Sequence, residues 1–576
     1  MNAAAPLMPA DKVSKLMQRY QALKGYRTPW ESLWKEIARY VSPRRSPGMQ
    51  GTVTAPTTED DSRLFDITAV QSAQTLANGC LAWMSPQESP WFAFTPDDNL
   101  DDDDASKWLN ACTNTARKVL ARSNFYVSVH EFYLDRSTFG TGALYIGESS
   151  KGGKRIHVEH WSVGSYVIDE DSEGDVSTVV HEMLLTPEDA AEEFGIENLS
   201  AGMQKAVKEG GAKAVDPCRF LHHIYRRPKA EQREGSMAPE HMPIACVYME
   251  ENGSHVCRVS GYPEMPVMVS KYLEWGSTMG NRYGWSPSFS ALPEARQLNF
   301  LQKMMDAMAE RAAFPAVLAP EEMEGELDPN ANAVTYFDSN IAGRLPRAWL
   351  TEGRYDIGKD RVMERQNAIK AAYHVDLFQM FQDLNKQMTA REVSERSSEK
   401  LVQFSPTFAR LTTELFNPFL ERLFGIGLRT GWFAQPPESL MVDMGDGTAY
   451  VAPPEVLYSS RIALALRGLP VMSIFRMAEL TKGLIELELS GSPVCDNFNF
   501  DRAWQIAAIN EALPDGIART DDEVAAIREQ RAEQQAQQAQ QEQAMAMSEQ
   551  LSKLGKVPGD TPVGSAMGQQ IEGMAA

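Results

Sequence analysis

A run of six aspartates between Asp97 and Asp104 is the densest group of residues in the chain that could bind a metal ion. Carboxylate oxygens are the ligands that hard divalent cations prefer. The same residues come directly before a helix that we predict from about Ala105, where negative charge stabilises the positive end of the helix dipole. Because this helical interpretation is sufficient, we expect no metal at this position.

Other short motifs fail the spacing that their chemistry requires. The segment Asp169–Gly174 has acids at the first, third and fifth places of a calcium loop, but Val180 takes the place of the bidentate glutamate. Gly140-Thr141-Gly142 lacks the Lys-Ser/Thr pair of a phosphate loop. No Ser, Cys or Lys nucleophile has a recognisable setting, and no two cysteines form a C-x-x-C pair. The sequence therefore predicts no catalytic site and no cofactor.

The composition indicates a folded chain with an acidic surface. The 576 residues are enough for two or three domains, and 43% of them are hydrophobic. The formal net charge is −22, which argues against a protein that coats nucleic acid. A wall along which nucleic acid slides remains compatible with this charge. Since no run of about 18 apolar residues occurs, we expect no membrane span.

Two long helices separated by an insert organise the middle of the chain. Apolar residues recur at three- and four-residue steps from about Ser290 to Ala313 and again from about Gly358 to Phe381. Four side chains of the first helix share a face that should pack: Leu298, Leu301, Met305 and Met308. The insert, residues 316–350, contains prolines and the apolar stretch Ala333–Phe337, which predicts a small strand-containing tip on a helical stalk.

A short polar loop follows the second long helix. Its polar residues are Gln382, Asp383, Asn385, Lys386 and Gln387. Thr389 and Glu392 have the spacing of a capping box, so the next helix should begin there. We expect that helix to run to about Ser405-Pro406, to restart there and to pass through Asn417-Pro418, with a kink at Pro418.

The flanking regions complete an α+β, mainly helical fold. In the first 285 residues, two helices, Asp11–Lys24 and Trp30–Val41, should be joined at Gly25 and followed by mixed helices and strands. We expect residues 458–487 and 501–513 to be helical. From Asp521 the chain is rich in Gln and Ala, which favour a helix without an apolar stripe, and a Gly/Pro/Met/Ala-rich tail follows.

A series of short motifs runs along the chain in a fixed order. They are Tyr26–Glu31 with Ile37–Tyr40, Phe65-Asp66 with Gln74–Gly79, Pro90–Phe92, Ser123–Tyr126, Gly140–Ala143, Tyr283–Pro287, Met388–Val393 and Ala526–Arg531. Together, from about Asp11 to Gln550, they resemble the head-to-tail connecting (portal) proteins of short-tailed bacteriophages. Trp285 departs from the pattern, since a basic or small residue is usual at that turn.

The resemblance implies a portal-like protomer. Residues 1–285 would form an α+β wing, 286–314 the first stem helix, 315–350 a strand-containing clip, 351–381 the second stem helix and 382–389 a channel loop. Residues 390–455 would form a kinked wing helix and its return, 456–550 a helical crown and 551–576 a flexible tail.

The resemblance also implies a function and partners. Copies of the chain would form a dodecameric ring at one capsid vertex of the virion, assembled in the host cytoplasm, through which double-stranded DNA passes without sequence specificity. The channel loop, in which Lys386 is the cation, would face the DNA. The clip, with Arg344 and Arg347 near its end, would dock the terminase large subunit and later tail adaptor proteins, with major capsid or scaffolding proteins around the ring.

Two other classes stay open from the sequence. A metal-dependent nuclease would use the aspartates of Asp97–Asp104 or the pair His222-His223, and it requires carboxylates that converge on one site. A monomeric structural adaptor would have the same helices without a ring, so particle size separates it from a portal.

Overall fold

The computed structural model describes residues 7–45, 64–96, 103–149, 154–233, 238–252, 254–274, 282–313, 317–318, 347–348, 355–379, 405–443, 449–460, 462–463, 477–479, 499, 502–504 and 521–554. They belong to two units, Met1–Leu469 and Pro470–Ala576. The fold is α+β and mainly helical, as the sequence predicts. The predicted loop residues Gln382–Thr389, together with Glu392 and Arg344, lie outside the described residues.

The helices of the first unit alternate with short loops and strands. Their bounds are α1 (Ala10–Val41), α2 (Thr68–Met84), α3 (Asp103–Arg122), α4 (Phe125–Phe139), α5 (Pro187–Phe194), α6 (Ala201–Glu209), α7 (Ala212–Val215), α8 (Pro287–Ala313), α9 (Tyr355–Ala372), α10 (Val375–Gln379) and α11 (Asn417–Arg429). Short 3-10 turns occur at Pro43–Arg45, Ile196–Asn198, Lys229–Glu231 and Glu438–Leu440.

The strands of the first unit pair in antiparallel sheets. Their bounds are β1 (Phe92–Thr95), β2 (Thr141–Glu148), β3 (Ile156–Trp161), β4 (Tyr166–Glu170), β5 (Val176–Leu185), β6 (Cys218–Arg226), β7 (Ile244–Glu250), β8 (Val256–Tyr262), β9 (Val267–Lys271), β10 (Val317–Leu318), β11 (Arg347–Ala348), β12 (Met441–Asp443), β13 (Ala449–Val451) and β14 (Glu455–Tyr458). One sheet has the order β4-β5-β6-β7-β8, a second has β3-β2-β9, and the pairs β1-β14, β10-β11 and β12-β13 stand apart. The segment Asp169–Gly174 comprises the last two residues of β4 and the turn that leads into β5.

Aromatic side chains from distant motifs meet in the main core. Trp91, at the turn into β1, stacks on Phe125 at the start of α4, with ring centroids 6.1 Å apart. Phe416 packs on the other side of Trp91 at 5.2 Å. All three side chains are buried. The sequence motifs Pro90–Phe92 and Ser123–Tyr126 therefore belong to one packed core.

The two N-terminal helices that we predicted are one helix, so the break at Gly25 was wrong. α1 continues from Ala10 through Pro29 to Val41. The buried Arg27 anchors this part of the helix, because it donates to the Glu182 carboxylate at 2.8 Å and to the Tyr166 carbonyl at 3.0 Å. Such tertiary contacts outweigh the low helix propensity of glycine and proline.

The second long helix, expected from Gly358 to Phe381, is broken. α9 ends at Ala372 and α10 begins at Val375. His374 has φ of 53°, a left-handed conformation that a helix interior does not allow. The preceding Tyr373 is fully buried, so its anchoring fixes the place of the break.

A π-helical turn lies where we predicted a proline kink. The turn Thr412–Phe416 comes directly before Asn417-Pro418, the first residues of α11. Pro418 has no N–H, and a π turn places an extra residue where the regular helical bonds are interrupted. Helical turns at 405–411 precede it.

The predicted helix from Tyr458 was wrong at its start. Tyr458 ends β14, which pairs with β1 in the register Phe92↔Tyr458 and Thr95↔Glu455. Its aromatic side chain is mostly buried beside Phe416 at 5.9 Å, so burial favours the strand. Residues 455–458 therefore pair with β1 of the N-terminal region. The start of the crown at residue 456, which the resemblance implies, stays a prediction.

In the second unit, α12 (Asp521–Leu554) is a helix of 34 residues, as the Gln/Ala-rich sequence predicts. At roughly 1.5 Å per residue it is about 51 Å long. Among the described helices of either unit, none combines the length and apolar character needed to cross a bilayer.

Buried histidines lie at the centre of the five-stranded sheet. The His181 ring stacks on Trp161 at 4.1 Å, and the His222 ring stacks on Tyr248 at 4.0 Å. Burial lowers the pKa of His181 to about 3 and that of His223 to about 3. Burial also lowers the pKa of His222 well below its ordinary value. The folded sheet therefore holds these rings neutral.

We expect acid to destabilise this sheet. A histidine whose pKa is lower in the folded state contributes its full stability above the unfolded value of about 6.5, and this contribution falls as the pH drops towards about 3. His181→Phe keeps an aromatic ring on Trp161 but removes one titrating group. The loss of unfolding free energy between about pH 7.5 and about pH 5 should shrink by roughly 1–2 kcal/mol in urea titrations.

His157→Phe is the matched control, because His157 is exposed on β3. It controls for the removal of a histidine that lies outside the buried group. Identical pH dependence for His181→Phe and the parent protein would contradict the assignment of His181.

Candidate functional site

Two glycines bring distant motifs together where the first long helix begins. Gly140 ends α4 with φ of 88°, a conformation that glycine adopts without strain. A Cβ at Gly140 would overlap the Gly284 carbonyl, and a Cβ at Gly284 would overlap the Gly140 carbonyl. Gly284 N–H donates to Thr141 Oγ1 at 2.9 Å. We call this crossing, with Ser286 and Ser288, the glycine joint.

Serine hydroxyls tie α8 to the end of α4. Ser286 Oγ donates to the Thr138 carbonyl at 2.7 Å and accepts from the Ser288 N–H at 3.2 Å. It therefore caps the helix, with Pro287 at the first helical position, where a missing N–H is tolerated. Ser288 Oγ in turn contacts the Ser137 carbonyl at 3.4 Å. Ser286 and Ser288 therefore hold the start of α8 against the end of α4.

The far end of α9 meets the same joint. The buried Tyr373 donates its hydroxyl proton to Ser288 Oγ at 2.8 Å. Glu294 of α8 accepts from Arg365 of α9 at 2.5 Å. Farther along α8, a Cβ at Gly358 would overlap the Met305 sulfur, so these two residues are in close contact. Because the residue numbers of α8 rise while those of α9 fall, the two helices are antiparallel.

Two of the four side chains on the predicted packing face of α8 are buried. Leu298 is 1% exposed and Met305 is 7% exposed. Leu301 and Met308 are only partly buried, although both pack against the core. Sequence periodicity missed Gly358, which gives Met305 its place on α9. The available signal was the glycine at the predicted start of this helix, since glycine disfavours helices unless close packing requires it.

A buried arginine lies directly behind the joint. Arg136 of α4 donates to Ser270 Oγ at 3.0 Å and to the Lys271 carbonyl at 2.9 Å, and its guanidinium lies 5.2 Å from the Tyr272 ring centroid. Burial lowers the pKa of Arg136, and Cys80 and Glu414 oppose this shift. The guanidinium thus holds the end of β9 against α4 by donating a hydrogen bond to the buried carbonyl of Lys271.

The π turn joins the same region. Glu414 accepts from the Lys271 N–H at 2.9 Å. In π turns the carbonyls and side chains are displaced from regular helical positions, and such turns are frequent at functional sites. Here the turn directs a carboxylate to the end of β9, next to the joint.

A second ionic anchor holds α11. Glu264 accepts from Arg429 at 2.5 and 2.9 Å and from Arg422 at 3.2 Å. Arg422 also donates to the Ile146 carbonyl at 3.0 Å and is 2% exposed. Burial lowers the pKa of Arg422, and the Glu264 carboxylate opposes this shift. α11 is therefore fixed to β2 and to the loop before β9.

The residues proposed for a nuclease do not converge. His222 contacts Cys246 Sγ at 3.2 Å on one side of β6, while the His223 ring lies 6.3 Å from Tyr20 of α1 on the other. Asp103 and Asp104 begin α3, and the earlier aspartates lie outside the described residues. Within the described ranges, no group of three or more His, Cys, Asp and Glu residues is placed to hold a metal ion.

The predicted docking pair is described only in part. Arg347 lies in β11, which pairs with β10 in the register Leu318↔Arg347. This pairing agrees with the prediction of strands in the insert between α8 and α9. The positions of Arg344 and of the channel-loop residues stay predictions.

Comparisons with known proteins show which family this chain resembles. The model of a family described as "Bacteriophage head to tail connecting protein" matches residues 13–517. A portal protein of Salmonella phage epsilon15 is 27% identical over 560 residues, which are 95% of this chain and 95% of that protein. A probable portal protein of Bordetella phage BPP-1 is 27% identical over 552 residues, 94% of this chain and 95% of that protein. A chain in the virion of a native gene transfer agent particle aligns with a TM-score of 0.36 and 11% identity, over 76% of this chain and 89% of that chain. Since the family model spans most of its length, the chain belongs to the bacteriophage head to tail connecting protein family and is a phage portal protein.

Proposed function

We propose that copies of this chain form a dodecameric ring at the portal vertex and that double-stranded DNA passes through its central channel during packaging and ejection. The observation that carries this proposal is the family match, which extends through the N-terminal sheets, both long helices and the π turn. The role is structural: the chain positions other components, and a separate motor supplies the work. Assembly in the host cytoplasm is part of the proposal.

The paired helices support a stem. α8 has 27 residues, so at roughly 1.5 Å per residue it is about 40 Å long. α8 begins at the glycine joint and the antiparallel α9 returns to it, so the end of α8 and the start of α9 lie away from the joint. We therefore assign residues 1–285 to the wing, α8 and α9 to the stem and residues 315–350 to the clip.

The charge supports passage of DNA without tight binding. Each protomer carries a formal net charge of −22. Duplex DNA carries one negative charge per roughly 1.7 Å of its axis, so a wall with few cations does not grip it. We place Gln382, Asp383, Asn385, Lys386 and Gln387 in a loop that narrows the channel, with Thr389 and Glu392 capping the next helix.

Deleting Asp383–Gln387 tests this channel loop. We expect rings to form normally, whereas packaging in a reconstituted assay should stall late or the packaged DNA should leak. Lys386→Glu should act in the same direction but more weakly, and more at low salt, where phosphate contacts count most. Lys386→Arg keeps the charge and is the control. If the deletion variant packages and retains full-length DNA as well as the parent protein does, the assignment of this loop to the channel is wrong.

The clip is the proposed docking surface for the terminase large subunit and later for tail adaptor proteins. Replacing both Arg344 and Arg347 with glutamate should leave rings intact and abolish packaging. The substitution reverses the charge of a basic pair that, in this proposal, contacts an acidic surface of the partner. Replacing both with lysine keeps the charge and should retain most packaging. Unchanged packaging by the glutamate variant contradicts the docking role of these arginines.

A further inference from the structure

The apolar face of α8 is wider than the part that the described chain covers. Leu298 and Met305 are buried, but Phe300 is 60% exposed and Met304 is 39% exposed. Helical spacing of 100° per residue places Phe300, Met304 and Ala307 on one strip beside the buried face. Lys303 borders this strip and lies over the exposed Phe65 ring at 5.8 Å. We call Phe300, Lys303, Met304 and Ala307 the α8 strip.

α9 has a complementary face on the side away from its buried residues. Val362 and Ile369 are buried against the core. Ile357 and Met363, which are 47% and 51% exposed, lie on the opposite side with the exposed acids Asp360 and Glu364. We call Ile357, Asp360, Met363 and Glu364 the α9 face. The α8 strip is apolar with a cation, and the α9 face is apolar with two acids, of which Glu364 pairs with Arg361 of the same helix at 3.0 Å.

We infer that the α8 strip of one protomer packs on the α9 face of the next protomer around the ring. This inference rests on the proposed ring. In a closed cyclic assembly each contact joins two different surfaces of the chain, one on each side of every protomer. The two helices supply two such surfaces. Opposite charge favours this pairing over contact between two copies of the same face.

The contacts within one protomer also fix the register between protomers. Rotation about the ring axis leaves the height of every residue along that axis unchanged. Within one chain, Ser288 lies opposite Tyr373, Glu294 opposite Arg365, and Met305 opposite Gly358. In the proposed stem α8 and α9 run along the ring axis, so residues that face each other within one chain lie at one height. The same heights hold for the neighbour, because its chain is identical.

Counting from Met305 and Gly358 therefore gives the contacting pairs. Phe300 is five residues before Met305, and Met363 is five residues after Gly358, so these two side chains lie at one height. The same count places Lys303 opposite Asp360 and Met304 near Ile357. Two apolar pairs and one ion pair thus coincide, and each α8 strip meets its partner in register.

Disulfide crosslinking between protomers tests the pairing. A double variant, Phe300→Cys with Met363→Cys, should give a ladder of covalent multimers after oxidation, on denaturing gels without reductant. Co-expressed single variants, Phe300→Cys with Met363→Cys on separate chains, should give covalent dimers, which a bond within one chain cannot produce. The parent chain, oxidised in the same way, controls for its own cysteines.

A mismatched pair controls for the register. Phe300→Cys with Ile357→Cys shifts the second cysteine by six residues, about 9 Å along the helix, and should give no ladder. Equal crosslinking by the matched and mismatched pairs overturns the inference. The inference is also overturned if maleimide fails to label the cysteine at position 300 in monomers, because the chain itself then covers the α8 strip.

Charge reversal gives an independent readout. Lys303→Glu and Asp360→Lys should each lower the fraction of chains in rings several-fold at low salt, and the double variant should restore it. Rings that form normally but give no dimers from the mixed single variants overturn this interface and leave the proposed ring intact. A protein that forms no rings at all overturns both.

Discussion

Gly140→Ala is expected to destabilise the protein by about 3 kcal/mol or more and to prevent ring assembly. Two costs add at this position. Gly140 has φ of 88°, which costs an alanine roughly 1–2 kcal/mol. In addition, the new Cβ overlaps the Gly284 carbonyl, so the backbone that leads into α8 must shift. Urea titration and sedimentation measure the two effects.

Gly174→Ala is the matched control for this prediction. Gly174 has φ of 91°, but a Cβ there meets no heavy atom within 4 Å. Its cost comes from the backbone conformation alone, roughly 1–2 kcal/mol, and assembly should continue. Equal losses for the two variants would show that the crossing with Gly284 contributes nothing.

Leu298→Asp is expected to have the largest effect on the paired helices. Leu298 is 1% exposed on α8, so the substitution buries a charge without a partner and removes a packed side chain, at a cost of several kcal/mol. Leu301→Asp should cost less, because Leu301 is only partly buried. Sedimentation should show monomers or aggregates for the first variant and a weaker loss of rings for the second.

Gln297→Asp is the control for Leu298→Asp. It introduces an aspartate into the same helix at an exposed position, so it measures the effect of the aspartate without the effect of burying its charge. Gln297 is exposed one residue before Leu298, so the new charge stays in water. We expect a change of about 0.5 kcal/mol or less in the free energy of unfolding. If Gln297→Asp and Leu298→Asp behave alike, the packing of α8 does not hold the stem together.

Short sequence patterns predicted the features that depend on residues close together in the chain. Thr186 caps α5 by accepting from the Asp189 N–H at 3.1 Å, with Pro187 at the first helical position. Leu298 and Met305 are buried as their spacing predicts. The cap joins residues three apart in the sequence, and the apolar face of α8 repeats at three- and four-residue steps, so both follow from local spacing.

Features that depend on distant contacts could not be predicted in this way. α1 continues through Gly25 and Pro29 because Arg27 is anchored to β4 and β5, more than a hundred residues away in sequence. Tyr458 is in a strand because its partner is Phe92. The motifs around Gly140 and Gly284 were recognised separately, but nothing in their spacing showed that the two backbones cross.

Trp285 illustrates how a departure from a family pattern can be accommodated. Its ring stacks on Phe289 at 4.3 Å, and its backbone pairs with Leu273. The turn into α8 is therefore kept by the backbone and by Ser286. The large side chain packs on the first turn of the helix and does not disturb the joint.

Electron microscopy of the purified protein tests the central claim most directly. Negatively stained particles should be rings with a central hole, and class averages viewed down the axis should show twelvefold symmetry for the proposed dodecamer. Single protomers without rings, from protein whose circular dichroism shows that it is folded, would contradict the portal assembly proposed for this chain.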